Sequence, residues 1–267
     1  MLTQEKMKQR KIMVLINLDK PQGALIQNAI NIAQKMDGKL LFFYVRKAAD
    51  VVQNANQFSA IRSVTEAHVE VEKRLKGLLQ PYQEKTPVKM ESHFAFGNIK
   101  NEIKDQLHQY QPDLVVMGKR SSSSLPLMGD QLTDFVLNQF QGTVLVSALD
   151  QGFEANEHLS IGLLSGALER PQGLAEELLS TSKVPLKTFR IKSNTEEADK
   201  EKAPAGTVQY VFSEGTDAVK NLSKYVLKNN VHLLCINRTS KTDATASNSN
   251  MKEVMQNLPV SLLMTGA

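Results

Sequence analysis

The stretch best furnished for chemistry is Gly118-Lys119-Arg120-Ser121-Ser122-Ser123-Ser124, with Gly129-Asp130 close behind. A glycine lets backbone amides approach a ligand, two cations supply charge, and four hydroxyls can donate or accept hydrogen bonds. Before a helix N-terminus, such a loop is a modified anion site, suited to phosphate. The same composition also describes a flexible polar loop, since serine runs and paired basic residues are common on surfaces. Asp130 favours the second reading. A carboxylate at a helix start caps the amides that a phosphate would use, and it repels the phosphate.

No other group of residues converges on a reaction. His68, His93, His108, His158 and His232 have no spacing typical of a metal site, so no metal is expected. There is no Gly-x-Ser-x-Gly elbow, Walker loop or His-Glu-x-x-His motif. The one cysteine, Cys235, lies in an apolar run and reads as a buried structural thiol. With no disulfide within the chain, no apolar leader at the start and no run near the ~20 residues of a membrane helix, the expectation is a cytoplasmic protein without membrane contact. A net charge of +4 and a pI near 9.0, without an aromatic-basic face, do not indicate nucleic acid. The chain reads as non-enzymatic.

The elements that must position these loops alternate. Apolar strands are expected at Lys11–Leu18, Lys39–Val45, Val88–Phe96, Asp113–Met117 and Thr143–Ser147. Between them fall helices over Pro21–Met36, from about Thr65 with Val69, Leu75 and Leu78 inward, over Ile99–Tyr110, and over Leu132–Phe140. Asp37-Gly38 reads as a helix stop with glycine in the left-handed cap. Continuous apolar strands alternating with helices imply a doubly wound parallel sheet.

The pattern then repeats. Lys20-Pro21-Gln22-Gly23 is echoed by Arg170-Pro171-Gln172-Gly173, and Gln111–Arg120 by Asn230–Thr239. Repetition at this scale means two copies of one domain. We expect a flexible tail over residues 1–10, a first domain over 11–149, a linker over 150–157 and a second, degenerate domain over 158–267. The second copy should lack one helix, with the charged stretch Lys192–Gly206 in its place. Its loop Asn237–Asn250 contains no glycine and should bind no nucleotide.

Lys11–Asp19, Gly97-Asn98-Ile99, Pro112–Arg120 and Gly129–Val146 resemble the universal stress protein family. Glu214-Gly215-Thr216, His232–Thr239 and Asn257–Met264 carry the likeness into the second half. The chain looks like a tandem member: two doubly wound five-stranded parallel α/β sheets of the adenine-nucleotide-binding kind. The resemblance implies ATP or AMP, in binding members, at the carboxyl ends of the strands. Their fourth loop reads Gly, two residues, Gly, nine residues, Gly, then Ser or Thr. Here Gly118 is present, Ser121 stands at the second glycine, seven residues separate Ser121 from Gly129, and Asp130 replaces the Ser or Thr. The family's acidic residue on the first strand aligns with Asn17, with Asp19 two residues beyond.

Two readings follow from the likeness. In the leading one the nucleotide site is degenerate, no cofactor is held, and the protein works in a stress response by binding a partner or small ligand. In the other, the first domain senses ATP or AMP, with Asn17 and Asp19 near ribose or base, Val45 against adenine, and Gly118, Lys119, Ser121, Gly129 and Asp130 at the phosphate end. The resemblance also implies that the copies pair within the chain through Thr143–Ser147 and Val260–Met264. A homodimer of the whole chain and an unidentified protein partner are left open.

Overall fold

The computed structural model describes residues 9–48, 57–119, 126–148, 159–164, 173–182, 184–192, 207–213, 215, 217–238, 254 and 257–266. A strand covered on both faces must be apolar along its length. Ile12, Met13 and Val14 satisfy this in β1 (Arg10–Leu15), as do Leu114, Val115 and Val116 in β4 (Leu114–Gly118). Around them the first half places α1 (Gly23–Lys35), β2 (Gly38–Arg46), α2 (Gln57–Gln83), β3 (Met90–Phe96), α3 (Ile99–Tyr110), α4 (Pro126–Gln139) and β5 (Thr143–Ser147). The second half follows with β6 (Ile161–Leu164), α5 (Leu174–Thr181), β7 (Leu186–Lys192), β8 (Thr207–Ser213), α6 (Ala218–Lys228), β9 (Leu233–Asn237) and β10 (Ser261–Thr265).

From its outer edge inward the first half runs β3-β2-β1-β4-β5, and the second runs β8-β7-β6-β9-β10, the same order strand for strand. Both five-stranded parallel arrays are therefore present. They do not stand as two sheets. Antiparallel pairing of Val144 with Met264, Leu145 with Leu263 and Val146 with Leu262 joins them into one mixed ten-stranded sheet. The join pairs two strand edges that each half alone would leave open. The cores on the two faces also run across it. Ile12, Phe42, Leu75 and Leu145 share one cluster with Ile161, Leu178, Cys235 and Leu263. Met13, Phe43, Val136 and Val146 share the other with Phe189, Leu222, Leu234 and Leu262.

Several local expectations need correction. In α2 the buried stripe is Ala67-Val71-Leu75-Leu79, at four-residue spacing, so Val69 lies off it and is 62% exposed. The helix before β2 ends with Asp37, not Gly38, in the left-handed region. Gly38 is closely packed: a β-carbon there would come within 2.7 Å of Ile12 Cδ1 and 3.3 Å of the Ala33 Cα. Arg10, assigned to the tail, opens β1 and bridges to Glu177 on α5 at 2.7 Å.

Among the described residues no helix lies between β7 and β8, while α2 fills that place in the first half. The sheet records the difference. The registers Leu40–Met90 and Leu186–Thr207 align the two outer strand pairs. Phe42, Tyr44, Phe94 and Phe96 pack in the α2 layer. Thr188, Arg190, Val211 and Ser213 stand at the matching positions, so a largely aromatic surface has become a largely polar one.

At the far end of β10, a β-carbon at Gly266 would fall on the carbonyl oxygen of Gln141. Gly266→Ala should therefore force the joined halves apart locally. The expected cost is roughly 1–3 kcal/mol, read as a lower urea midpoint at unchanged slope.

Candidate functional site

Strand order reverses between β1 and β4, and crevices of this kind lie beyond the carboxyl ends of such strands. A cleft of about 540 Å³ opens there, formed by the segments after β1, β2 and β4. Leu15, Phe43, Val45, Ile103 and Met117 give it an apolar floor, and Asn17, Gln22, Arg46 and Lys119 are among its polar lining. Of the residues expected from sequence, Asn17, Asp19, Val45, Gly118 and Lys119 come together here.

The loop after β1 is held by its own side chains. Asn17 Oδ1 accepts the Asp19 amide at 3.0 Å, an Asx turn, and Gln22 Oε1 accepts the Asn17 amide at 3.4 Å. Gln22 Nε2 donates to the carbonyls of Lys20 and Pro21 at 3.2 and 3.0 Å. The Asp19 carboxylate meets Arg74 at 3.1 Å, and Arg74 also donates to the Leu18 carbonyl at 2.8 Å. Glu70 lies 3.7 Å from Arg74 and 2.9 Å from Arg46. The hydrogen bond and charge of Arg46 hold the Glu70 carboxyl below its ordinary range. Asp19-Arg74-Glu70-Arg46 is thus an alternating chain tying the loop to α2 and β2. Each exposed pair adds little stability alone. Together they keep the Asp19 carboxylate paired with a cation.

Sequence reading missed Gln22, Arg46 and Arg74. Gln22 was visible as part of a repeated tetrapeptide, and Arg46 as the residue after Val45. Arg74 had no local signal, since Asp19 is 55 residues away.

Gly118 lines the cleft, and a β-carbon there would meet only Leu25 Cδ2 at 3.9 Å, an ordinary contact. The protein's own packing does not require this glycine. Ser121 lies outside the described residues. Gly129 and Asp130 are the fourth and fifth residues of α4, so Asp130 is not the helix cap expected from sequence. The reason is Pro126, the first residue of the helix, where a missing amide costs nothing and the ring pre-sets the backbone.

Lys119 is committed elsewhere. Its backbone amide donates to the Ser147 carbonyl at 2.7 Å, and its amine donates to the carbonyl of Leu258 in the second half. Arg238, the matching residue after β9, mirrors it. The Arg238 amide donates to the Thr265 carbonyl at 3.1 Å, and its guanidinium to the carbonyls of Leu137 and Phe140 at 2.8 and 3.2 Å and to that of Gly142. Phe140 and Leu258 each donate their own amide four residues back, to Val136 and Val254. Each cation therefore binds the carboxyl end of a helical turn in the other half, where carbonyls lack amide partners. Burial lowers Arg238 from its ordinary value, and lowers Lys119 to about 8.

The other buried or ringed groups serve the core. Burial pushes the Cys235 thiol up to about 12, which leaves it a neutral thiol. His232 Nδ1 accepts the Ser160 amide at 3.1 Å, and His93 pairs with Gln106 at 3.0 Å. Among the described residues no three His, Cys, Asp or Glu side chains converge on a metal position, and no helix is long and apolar enough to cross a membrane.

Because the folded pKa of Lys119 lies below the unfolded 10.5, the unfolded chain binds more protons between about pH 8 and 10.5. The burial penalty is complete below pH 8 and is relieved as pH rises through that window. Wild type should gain stability relative to Lys119→Met between pH 8 and 10.5, as urea midpoints across pH would show; parallel curves would refute it.

The universal stress protein family model matches residues 8–148, more than half of the chain. No curated protein matches in sequence. Among solved structures, a universal stress protein from Archaeoglobus fulgidus DSM 4304 superposes with a TM-score of 0.67 at 15% identity, covering 96% of both chains. A protein of unknown function from Pseudomonas aeruginosa PAO1 gives 0.60 at 13% identity, covering 96% of this chain and 92% of its own. The cytoplasmic domain of a prokaryotic cation chloride cotransporter gives 0.50 at 11% identity, covering 97% and 96%. These likenesses extend the fold over both halves, and with the family match over the first half they establish that the chain belongs to the universal stress protein family.

Proposed function

We propose that the first half, residues 11–149, binds a small ligand of nucleoside size in the cleft beyond β1, β2 and β4 without turning it over. The second half, residues 158–267, acts as its structural and interaction partner. Val45 and the apolar floor would take a planar base. Asn17, Gln22 and Asp19 would meet a sugar, and Gly118 a single phosphate. The phosphate cradle of ATP-binding relatives is degenerate in this reading. The observation that carries it is the bond from the Lys119 amine to the Leu258 carbonyl, which occupies the cation that a polyphosphate chain would need. Asp130 adds to it: as the fifth residue of α4, its amide belongs to the helix ladder.

A catalytic role has less support. Hydrolysis of ATP needs a carboxylate poised for a metal, and the Asp19 carboxylate is paired with Arg74. The action we propose is that of a cytoplasmic stress-response protein working through ligand-dependent association. Fold alone does not assign it, since a similar fold occurs in a transporter's cytoplasmic domain.

Thermal melts and calorimetry test the reading. Adenosine or AMP should raise the melting temperature more than ATP does, with no phosphate released from ATP. At 100 times the dissociation constant the gain is about 2.7 kcal/mol. Gly118→Val should abolish it while leaving the unliganded melt nearly unchanged. Tight ATP binding, or no binding of any of the three, would overturn the proposal.

A further inference from the structure

Six large apolar side chains are exposed among the described residues, and four of them, Val208, Val211, Tyr225 and Leu227, lie on β8 and α6. Val208 is 45% and Val211 52% exposed, and three residues apart on a strand they point to opposite faces. The edge is therefore open on both sides. β8 reads Thr-Val-Gln-Tyr-Val-Phe-Ser, without charge, proline or glycine, and among the described residues only β7 pairs with it. Such an edge strand is a template for another strand, because alternate residues turn their amides and carbonyls away from β7.

β3, at the corresponding edge of the first half, is protected. It carries Glu91, and its Met90 carbonyl accepts from Gln83 Nε2 of α2 at 3.3 Å. β8 has neither a charge nor a counterpart of α2 among the described residues.

We propose that β8 is a docking edge for a second copy of this chain, two β8 strands pairing antiparallel about a two-fold axis at Tyr210. That register sets Thr207 opposite Ser213, Val208 opposite Phe212 and Gln209 opposite Val211. Hydroxyl meets hydroxyl, aliphatic meets aromatic, and no like charges oppose. An acidic or basic peptide finds no complementary charge on this strand, whereas a second copy matches it. On the α6 side, Tyr225 lies 5.8 Å from Tyr210 and 5.4 Å from Phe212, and Phe189 stacks on Tyr210 at 5.3 Å. Pairing extends this aromatic row and covers Tyr225, which is 44% exposed.

Sedimentation of the full chain over a concentration series provides the test. The mass of wild type should rise from 29.7 kDa toward twice that value, and Val208→Lys/Val211→Lys should stay at 29.7 kDa throughout. Gln209→Cys/Val211→Cys should form a covalent dimer with oxidised glutathione, because each position faces the other across the axis and Cys235 is buried. This second variant keeps the proposal testable even if the lysines prevent folding. A wild type of 29.7 kDa at every concentration overturns it. So does a dimer that the lysines leave undiminished, or an edge that captures only foreign extended peptides.

Discussion

The antiparallel pairing of β5 with β10 constrains everything else in this molecule. It sets two like sheets edge to edge, and by fixing their strands it fixes where their helices meet. Val144, Leu145 and Val146 on one side, and Leu262, Leu263 and Met264 on the other, are at most 3% exposed. A backbone ladder buried this deeply cannot be traded for water, since each orphaned amide or carbonyl would cost about 1–3 kcal/mol. One ladder and two shared cores therefore join the halves, although their sequences read as two.

The cations that flank this ladder are alike in position and unlike in chemistry. Arg238 spreads its charge over several carbonyls and keeps its proton across the working pH range. Lys119 makes one such bond, can lose its proton near pH 8, and sits at the cleft. The half that holds the cleft thus contributes the weaker clamp and the other half the stronger one. Lys119 lines the cleft and at the same time holds the two halves together.

Much of this was legible in the sequence for a simple reason: a doubly covered parallel strand is apolar throughout, and little else in a soluble chain is. The bounds of α3 and β5 agree with the sequence reading, and the other described elements differ mainly at their ends. Faces were harder. Val69 looked inward until the four-residue stripe through Val71 was resolved. α4 starts at Pro126, six residues before the expected Leu132. The cleft residues Asn17, Asp19, Val45, Gly118 and Lys119 were nameable from the resemblance. The partner of Lys119 was not, because it is a backbone carbonyl 139 residues away and carries no side-chain signature.

Because β10 follows β5 by more than 100 residues, the central seam cannot close while the chain is being made. At 5–20 residues per second, β5 waits roughly 5–20 s on the ribosome before its neighbour emerges. During that interval the nascent first half presents Thr-Val-Leu-Val-Ser, a strand with an apolar centre that is buried in the finished fold, as a naked edge. Tethering removes the need to find a separate partner by diffusion, yet it imposes a vectorial delay that two independently made subunits would not share. The vulnerable moment of this architecture therefore falls in biosynthesis, before the finished fold exists.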